Sequence, residues 1–277
     1  MEFGRLLPFW GATALYGVSL GFYVQWFRAG AADVGRRASA ALWVAAAAHL
    51  LGLALLGFGR GFGPPTGLGE SLSLVALSTV LVYLYLEARG NERGLGPFAL
   101  VLVVAFMIKA STVGPAQEVE PLLREHLYGP HASAIILAMS GFAISAVLSV
   151  AYLAQYRQLR DKKPGLLLRR LPSLQGLDGM TRRATRLGFV FLTIGMVLGS
   201  LLAHRAWGEY WSWDPKQCVT LLTWILYGAA MLLRRRRDWQ GERVAASNLV
   251  AFSSVVVGIV VISWFFDTAH RFGVSAS

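Results

Sequence analysis

The sequence predicts an all-α integral membrane protein, a bundle of about eight transmembrane helices. Three observations predict it. Of 277 residues, 55% are hydrophobic and 15% charged, with a mean hydropathy of +0.52, whereas a soluble domain runs at about 45–50% apolar and about 25% charged. Apolar stretches of about 20 residues, the length a spanning helix needs, recur eight times. Lys and Arg gather in alternate loops, as cytoplasmic loops require. This composition excludes a disordered chain, a disulfide scaffold and an ordinary soluble enzyme. The single cysteine, Cys218, excludes an internal disulfide, a Cys-x-x-Cys redox pair and a cysteine-built metal cage.

The first segment, 6–27, lacks a small-residue cleavage site and has full spanning length, so it is expected as a helix and not a secretory signal. The second, 38–58, carries His49 near its middle, and the third is 70–88. The fourth, 95–113, holds Lys109 near its end, where the side chain can snorkel outward. The fifth, 131–155, opens on His131; the sixth, 185–204, closes on His204. The seventh, 217–233, follows Asp214-Pro215 and runs into Arg234–Arg237; the eighth, 245–266, is followed by His270. No loop between them has room for a separate soluble domain, so 1–277 is expected as one polytopic membrane domain.

With the N-terminus outside, nineteen of the 26 Lys and Arg fall in inside loops, six fall outside and Lys109 is intramembrane. Both termini are then outside, and the net charge of +11 is a topology signal. Nucleic acid is not an expected partner, because the basic residues are already accounted for. The run Arg234–Arg237 anchors the inner surface and meets anionic lipid, or one of its members pairs with a carboxylate entering from inside.

This topology puts His126, His131, His204 and His270 in or beside outside loops, and leaves His49 within a span. Between the sixth and seventh segments, also outside, lies Trp207-Gly208-Glu209-Tyr210-Trp211-Ser212-Trp213-Asp214-Pro215. Trp and Tyr collect at membrane interfaces in any case, but an anchoring belt needs neither the glycine, nor the Asp-Pro, nor this spacing. Two imidazoles facing each other over an aromatic shelf suit a flat metallo-macrocycle: the indoles offer an apolar plane and the histidines offer axial bonds to haem iron. Zinc asks for three or four ligands and has no use for a tryptophan wall.

The run Trp207-Gly208-x-x-Trp211-x-Trp213-Asp214-Pro215-Lys216 resembles the tryptophan-rich "WWD" signature of the haem-handling proteins of cytochrome c maturation. Eight spans in a chain of this length resemble the CcsA (ResC) type of system II. Leu177-Asp178, Leu187-Gly188-Phe189 and Glu70-Ser71-Leu72 are similar as well. The resemblance implies the haem-handling subunit of a holocytochrome c synthase (haem lyase) complex in a bacterial inner membrane or its equivalent, with the WWD segment, about 207–217, outside. It implies haem b, ligated by His131 and His270 and resting on Trp207, Trp211 and Trp213. It also implies a CcsB (ResB) type membrane partner, and an apocytochrome c whose Cys-x-x-Cys-His segment displaces one axial ligand and adds its thiols to the vinyl groups. The protein's part in that chemistry is orientation and proximity. His49 matches the first of a pair of intramembrane histidines thought to take haem from the inner side. Its expected partner position is Leu232, which cannot ligate iron, and Gln217 stands where the signature usually has Glu.

Among the remaining residues, Asp214 is expected to organise the Trp loop, since Asp before Pro fixes turns and caps helices. His204 can approach the same haem, although the resemblance does not call for it. His126 is ordinarily a solvated loop histidine, and Cys218 a small buried hydrophobe. Glu209 and Lys216 are rim residues. Two other classes remain open: a haem-binding membrane assembly factor or regulator without synthase activity, and a haem-free small-molecule transporter whose His and Trp line a substrate path.

Overall fold

The computed structural model describes residues 2–58, 68–90, 93–113, 126–162, 165, 170–236, 239 and 241–258. Among them are eight helices: α1 (Glu2–Ala29), α2 (Ala32–Phe58), α3 (Leu68–Gly90), α4 (Gly96–Val113), α5 (Tyr128–Arg160), α6 (Leu174–Trp207), α7 (Pro215–Leu233) and α8 (Glu242–Val256). Each expected apolar segment falls in one of them to within a residue, the last as far as Val256. Five helices, α2, α3, α5, α6 and α7, are long and apolar enough to cross a membrane. That agrees with an all-helical membrane protein.

The largest departure from the expected boundaries is at the start of α6. Helix α6 begins at Leu174, well before the apolar segment expected from 185. Hydropathy falls where Arg182 and Arg183 stand, yet Leu177, Met180, Thr181 and Ala184 are all buried at helical spacing. The first turns of α6 are amphipathic rather than uniformly apolar, so a spanning criterion misses them.

The described helices fall into two compact units, Met1–Arg124 with Pro164–Ser173, and Glu125–Lys163 with Leu174–Ser277. In the first, α1 packs on α2 and α4, and α3 packs on α2 and α4, which closes a ring of four helices in chain order. Its core is Phe9, Tyr16, Tyr23, Leu42, Tyr83, Leu86, Leu100 and Met107. Helix α1 stops where Gly30 takes φ +75° and its N–H bonds the Trp26 carbonyl at 2.7 Å, a left-handed exit that glycine makes without strain.

The second unit repeats the scheme: α5 packs on α6 and α8, and α7 on α6 and α8. Phe142 and Tyr227 stack at 3.7 Å in its core, with Ala138, Leu192, Ala251 and Val255 around them. Close approach of α5 and α6 rests on small residues, as in membrane helix pairs generally. A Cβ on Gly141 would sit 3.0 Å from Gly188 Cα, and one on Gly188 would sit 2.7 Å from the Phe142 ring. Asn248 of α8 ties three helices, donating to Ser145 and Ser149 of α5 at 3.1 and 2.9 Å and accepting from Thr185 of α6 at 3.2 Å.

Candidate functional site

The seam between α5 and α6 continues upward into a histidine seat. His131 lies in the first turn of α5, and its ring packs where α6 carries Gly195 and Gly199. A Cβ on Gly199 would come within 2.7 Å of His131 Cε1. The Nδ1 atom is 2.8 Å from the Gly195 carbonyl. A carbonyl can only accept, so Nδ1 carries the proton, and in the neutral ring the lone pair is left on Nε2. A backbone carbonyl that fixes the tautomer in this way is the usual support of a metal-ligating histidine.

The Trp-rich segment is anchored on the same helix, α6. Ser200, the residue after Gly199, donates its hydroxyl to the Tyr210 carbonyl at 3.0 Å. Helix α6 ends through Gly208, which takes φ +80° and donates its N–H to the His204 carbonyl at 2.9 Å. The Gly208 carbonyl in turn accepts from His204 Nδ1 at 3.0 Å, and the Tyr210 ring lies flat on the His204 ring at 4.1 Å and 6°. The chain therefore folds back over the end of α6.

Its far end is held by α7. Asp214 is the N-cap, accepting the Lys216 N–H at 2.8 Å with Pro215 following, the role expected for it from Asp-Pro. Gln217 reaches back so that its Oε1 accepts the Ser212 N–H at 3.0 Å. Trp213 stands between these two anchored residues at φ +55°, a left-handed conformation that is strained for a bulky side chain. The consequence is exposure: the Trp213 indole is 74% accessible, with Trp207 at 42% and Trp211 set edge-to-face against it at 5.7 Å. Trp207 and Trp213 thus leave large apolar rings open to the surroundings, more than a core would.

Other expected residues fall as follows. His270 lies outside the described residues. His126 is exposed in the turn before α5, Glu209 is exposed, and Cys218 is half-buried with its thiol 3.5 Å from the Trp213 carbonyl. Among the described residues no three His, Cys, Asp or Glu come together as a bare metal ion would ask. Arg234 is engaged with Asp178 of α6, through the carboxylate and, at 3.0 Å, through its carbonyl, so it holds α7 to α6 at the opposite end of this unit.

In the first unit His49 is buried between three helices. Its Nδ1 is 3.0 Å from the Tyr16 hydroxyl of α1 and its Nε2 is 2.7 Å from the Ser73 hydroxyl of α3. Both ring nitrogens are used, and iron could bind only after one of these bonds opened. Leu232, near the end of α7, is 64% exposed. The sequence reading also passed over Glu87. That side chain is buried, accepts from Tyr23 at 2.5 Å and from Ser39, and sits 3.7 Å from Arg93.

Comparison with known proteins decides the family. The model of the cytochrome C assembly protein family matches residues 66–270, which is most of the chain. The chain belongs to that family. Within it the chain is of the CcsA type. It is 30% identical to the cytochrome c biogenesis protein CcsA of Synechococcus sp. (strain RCC307), over 74% of this chain and 78% of that one. It is 26% identical to the CcsA of Gloeobacter violaceus, over 76% and 78%. Among solved structures it resembles the cytochrome c heme lyase CcmF with a TM-score of 0.67 at 21% identity. That match covers 91% of this chain, which spans 45% of the lyase, and it shows a shared fold. As a member of this family, the chain is a protein of cytochrome c biogenesis.

Proposed function

We propose that this protein holds haem b on its Trp-rich segment at the outer face of the membrane, as the haem-handling part of a cytochrome c synthase. The observation that carries the reading is the His131 seat. Its Nδ1 is committed to the Gly195 carbonyl, and the helix that provides the seat runs directly into the exposed tryptophans. These residues fit the group. A neutral imidazole with its lone pair on Nε2 suits iron, and open indole faces suit a flat apolar ring. When bound, haem supplies the iron and the vinyl groups; the chain supplies orientation. His131, through Nε2, and His270 would hold the iron, and Trp207, Trp211 and Trp213 would support the ring. Asp214 and Gln217 hold the loop in the shape that exposes Trp213. The partners that follow are an apocytochrome c presenting Cys-x-x-Cys-His and a membrane protein of the CcsB (ResB) type. The setting is a bacterial inner membrane or its equivalent, spanned by all eight helices of one domain, with termini and WWD segment outside.

The test is the visible spectrum of the detergent-purified protein beside His131→Ala and His270→Ala. Sharp low-spin bands in wild type, weakened in both variants, are the expected result. A wild-type protein that stays colourless after haem is added overturns the reading and leaves a transporter.

A specific observation favours a second reading, in which the same outer site belongs to an assembly factor that does not pass haem through the bilayer. His49 has both nitrogens occupied, and position 232 is a leucine. Deleting the chain separates the two: a synthase subunit is required for covalent cytochrome c, and a regulator only changes its amount.

A further inference from the structure

The end of the second unit away from the tryptophans carries a cavity of about 380 Å³, large enough for a phosphate ester and part of what it is joined to. It lies where α6 starts, α7 ends and α8 starts, against the last third of α5. Its charges do not cancel. Asp178 of α6 is engaged with Arg234, which holds its carboxylate and its carbonyl through Nη2. Arg182, one turn further along the same face of α6, has no ion pair or hydrogen bond among the described residues. Two arginines against one aspartate leave the described lining with one positive charge. Tyr152 of α5 adds a donor. It is only 9% exposed, yet its hydroxyl has no hydrogen-bond partner among the described residues. The hydroxyl reaches the cavity past Gly241. A Cβ there would stand 2.8 Å from the oxygen, and Gly241 takes φ +63°, which a side chain would resist. A buried hydroxyl without a partner costs free energy, and a ligand oxygen in the cavity would remove that cost. Gly241 is also the N-cap of α8, whose first turn no side chain caps, and that end of a helix favours a negative group.

We infer that this cavity is a binding site for the phosphodiester headgroup of an anionic lipid. The excess positive charge of the lining matches the single negative charge of a phosphodiester, and Arg182 and Tyr152 supply donors for its oxygens. Depth favours a lipid over free phosphate. Arg182 stands three residues before the apolar segment that begins at 185, about 5 Å along a helix axis, and Arg234 follows directly on α7. Both arginines thus branch from the boundary of spanning segments, the level at which lipid headgroups lie. Trp239, on the cavity wall, is a residue type that favours this level, with an apolar body and a polar N–H. A soluble phosphate gains nothing from such a position. The site differs from the exposed Arg235 and Arg236, whose pull on anionic lipid is general and needs no cavity. A lipid held there joins the start of α6, the end of α7 and the start of α8, and does so whether or not haem is bound at the other end of the unit.

The experiment uses the full-length protein, freed of lipid in neutral detergent and given phosphatidylglycerol and phosphatidylcholine in equal amounts, with native mass spectrometry counting the lipid retained. Wild type is expected to keep one phosphatidylglycerol in preference to phosphatidylcholine. Arg182→Gln should weaken that retention about 10-fold, the scale of a lost hydrogen bond to a charged group, and Tyr152→Phe about 3-fold. Arg236→Gln removes the same charge from an exposed position off the cavity and should retain lipid as wild type does. Arg182 is exposed, and Tyr152→Phe keeps the ring that lies parallel to Tyr156, so both variants should melt with wild type in detergent. Equal retention of the two lipids by wild type overturns the inference. So does an Arg236→Gln variant that loses as much as Arg182→Gln, since the pull is then general. If inorganic phosphate at millimolar concentration displaces the phosphatidylglycerol, the cavity takes a free anion and the lipid site fails.

Discussion

Gly199 sets how closely α6 can approach the His131 ring, and one added methyl is enough to test this. The Cβ of an alanine would meet His131 Cε1 at 2.7 Å and Nδ1 at 2.9 Å. The ring would have to swing, and the bond from Nδ1 to Gly195 would lengthen. Alanine is also the better helix former, by about 0.5–1 kcal/mol, so the fold should lose little. Gly199→Ala is therefore expected to weaken haem retention about 10-fold, the scale of a lost supporting contact to a metal ligand, with an almost unchanged melting temperature. Titration of purified protein with haem checks it, and wild-type affinity would show that the seat does not matter. Gln217 makes a second residue-scale case. Its oxygen accepts from Ser212, and a carboxylate oxygen could do the same. Gln217→Glu should bind haem as wild type does. Gln217→Ala should lose about 1 kcal/mol of loop order, read as a several-fold weaker titration; equal behaviour of the two variants would remove Gln217 from the account.

At the scale of the element, α7 starts where it does because Asp214 caps it and Pro215 occupies its first turn. Asp214→Ala is expected to cost about 1 kcal/mol and to lower the melting temperature, while Asp214→Asn, which keeps the acceptor, should not. A thermal melt in detergent that fails to separate the two would argue against the cap. This element was legible in advance, since Asp-Pro before an apolar run has a mechanism that needs no partner. The eight helical segments were legible for a similar reason: a stretch of about 20 apolar residues says helix on its own. The start of α6 was not, because its first turns bury only one face and carry arginines on the other. The histidine seat was half legible. The sequence marks His131 and the tryptophans, but the acceptor of its proton is a backbone carbonyl of Gly195, and a carbonyl has no sequence signature. Gln217 looked like a departure from a pattern, and its work is visible only once the loop has folded back on α7. His49 was expected as the first of an intramembrane histidine pair, and its partners Tyr16 and Ser73 were not foreseen because they come from two other helices.

For the whole molecule the decisive quantity is which side of the membrane the Trp-rich segment faces, since the proposed chemistry needs it outside. The charge asymmetry argues for this: a cluster of arginines follows α7, and the tryptophans precede it. Length agrees. Helix α7 has 19 residues, about 28 Å at 1.5 Å per residue, close to the roughly 30 Å of a bilayer's hydrocarbon core. Glu209 and Arg236, exposed beyond its two ends, should then lie on opposite sides. The chain's single cysteine makes the test clean, because Cys218→Ser removes the only background thiol. In that background Glu209→Cys should react with a membrane-impermeant maleimide on intact cells, and Arg236→Cys should react only after the membrane is opened. The reverse pattern would put the tryptophans inside and end the outer-face mechanism. Labelling of both on intact cells would mean that α7 does not cross, and the eight-span topology would have to be redrawn around the five helices whose length and composition suffice.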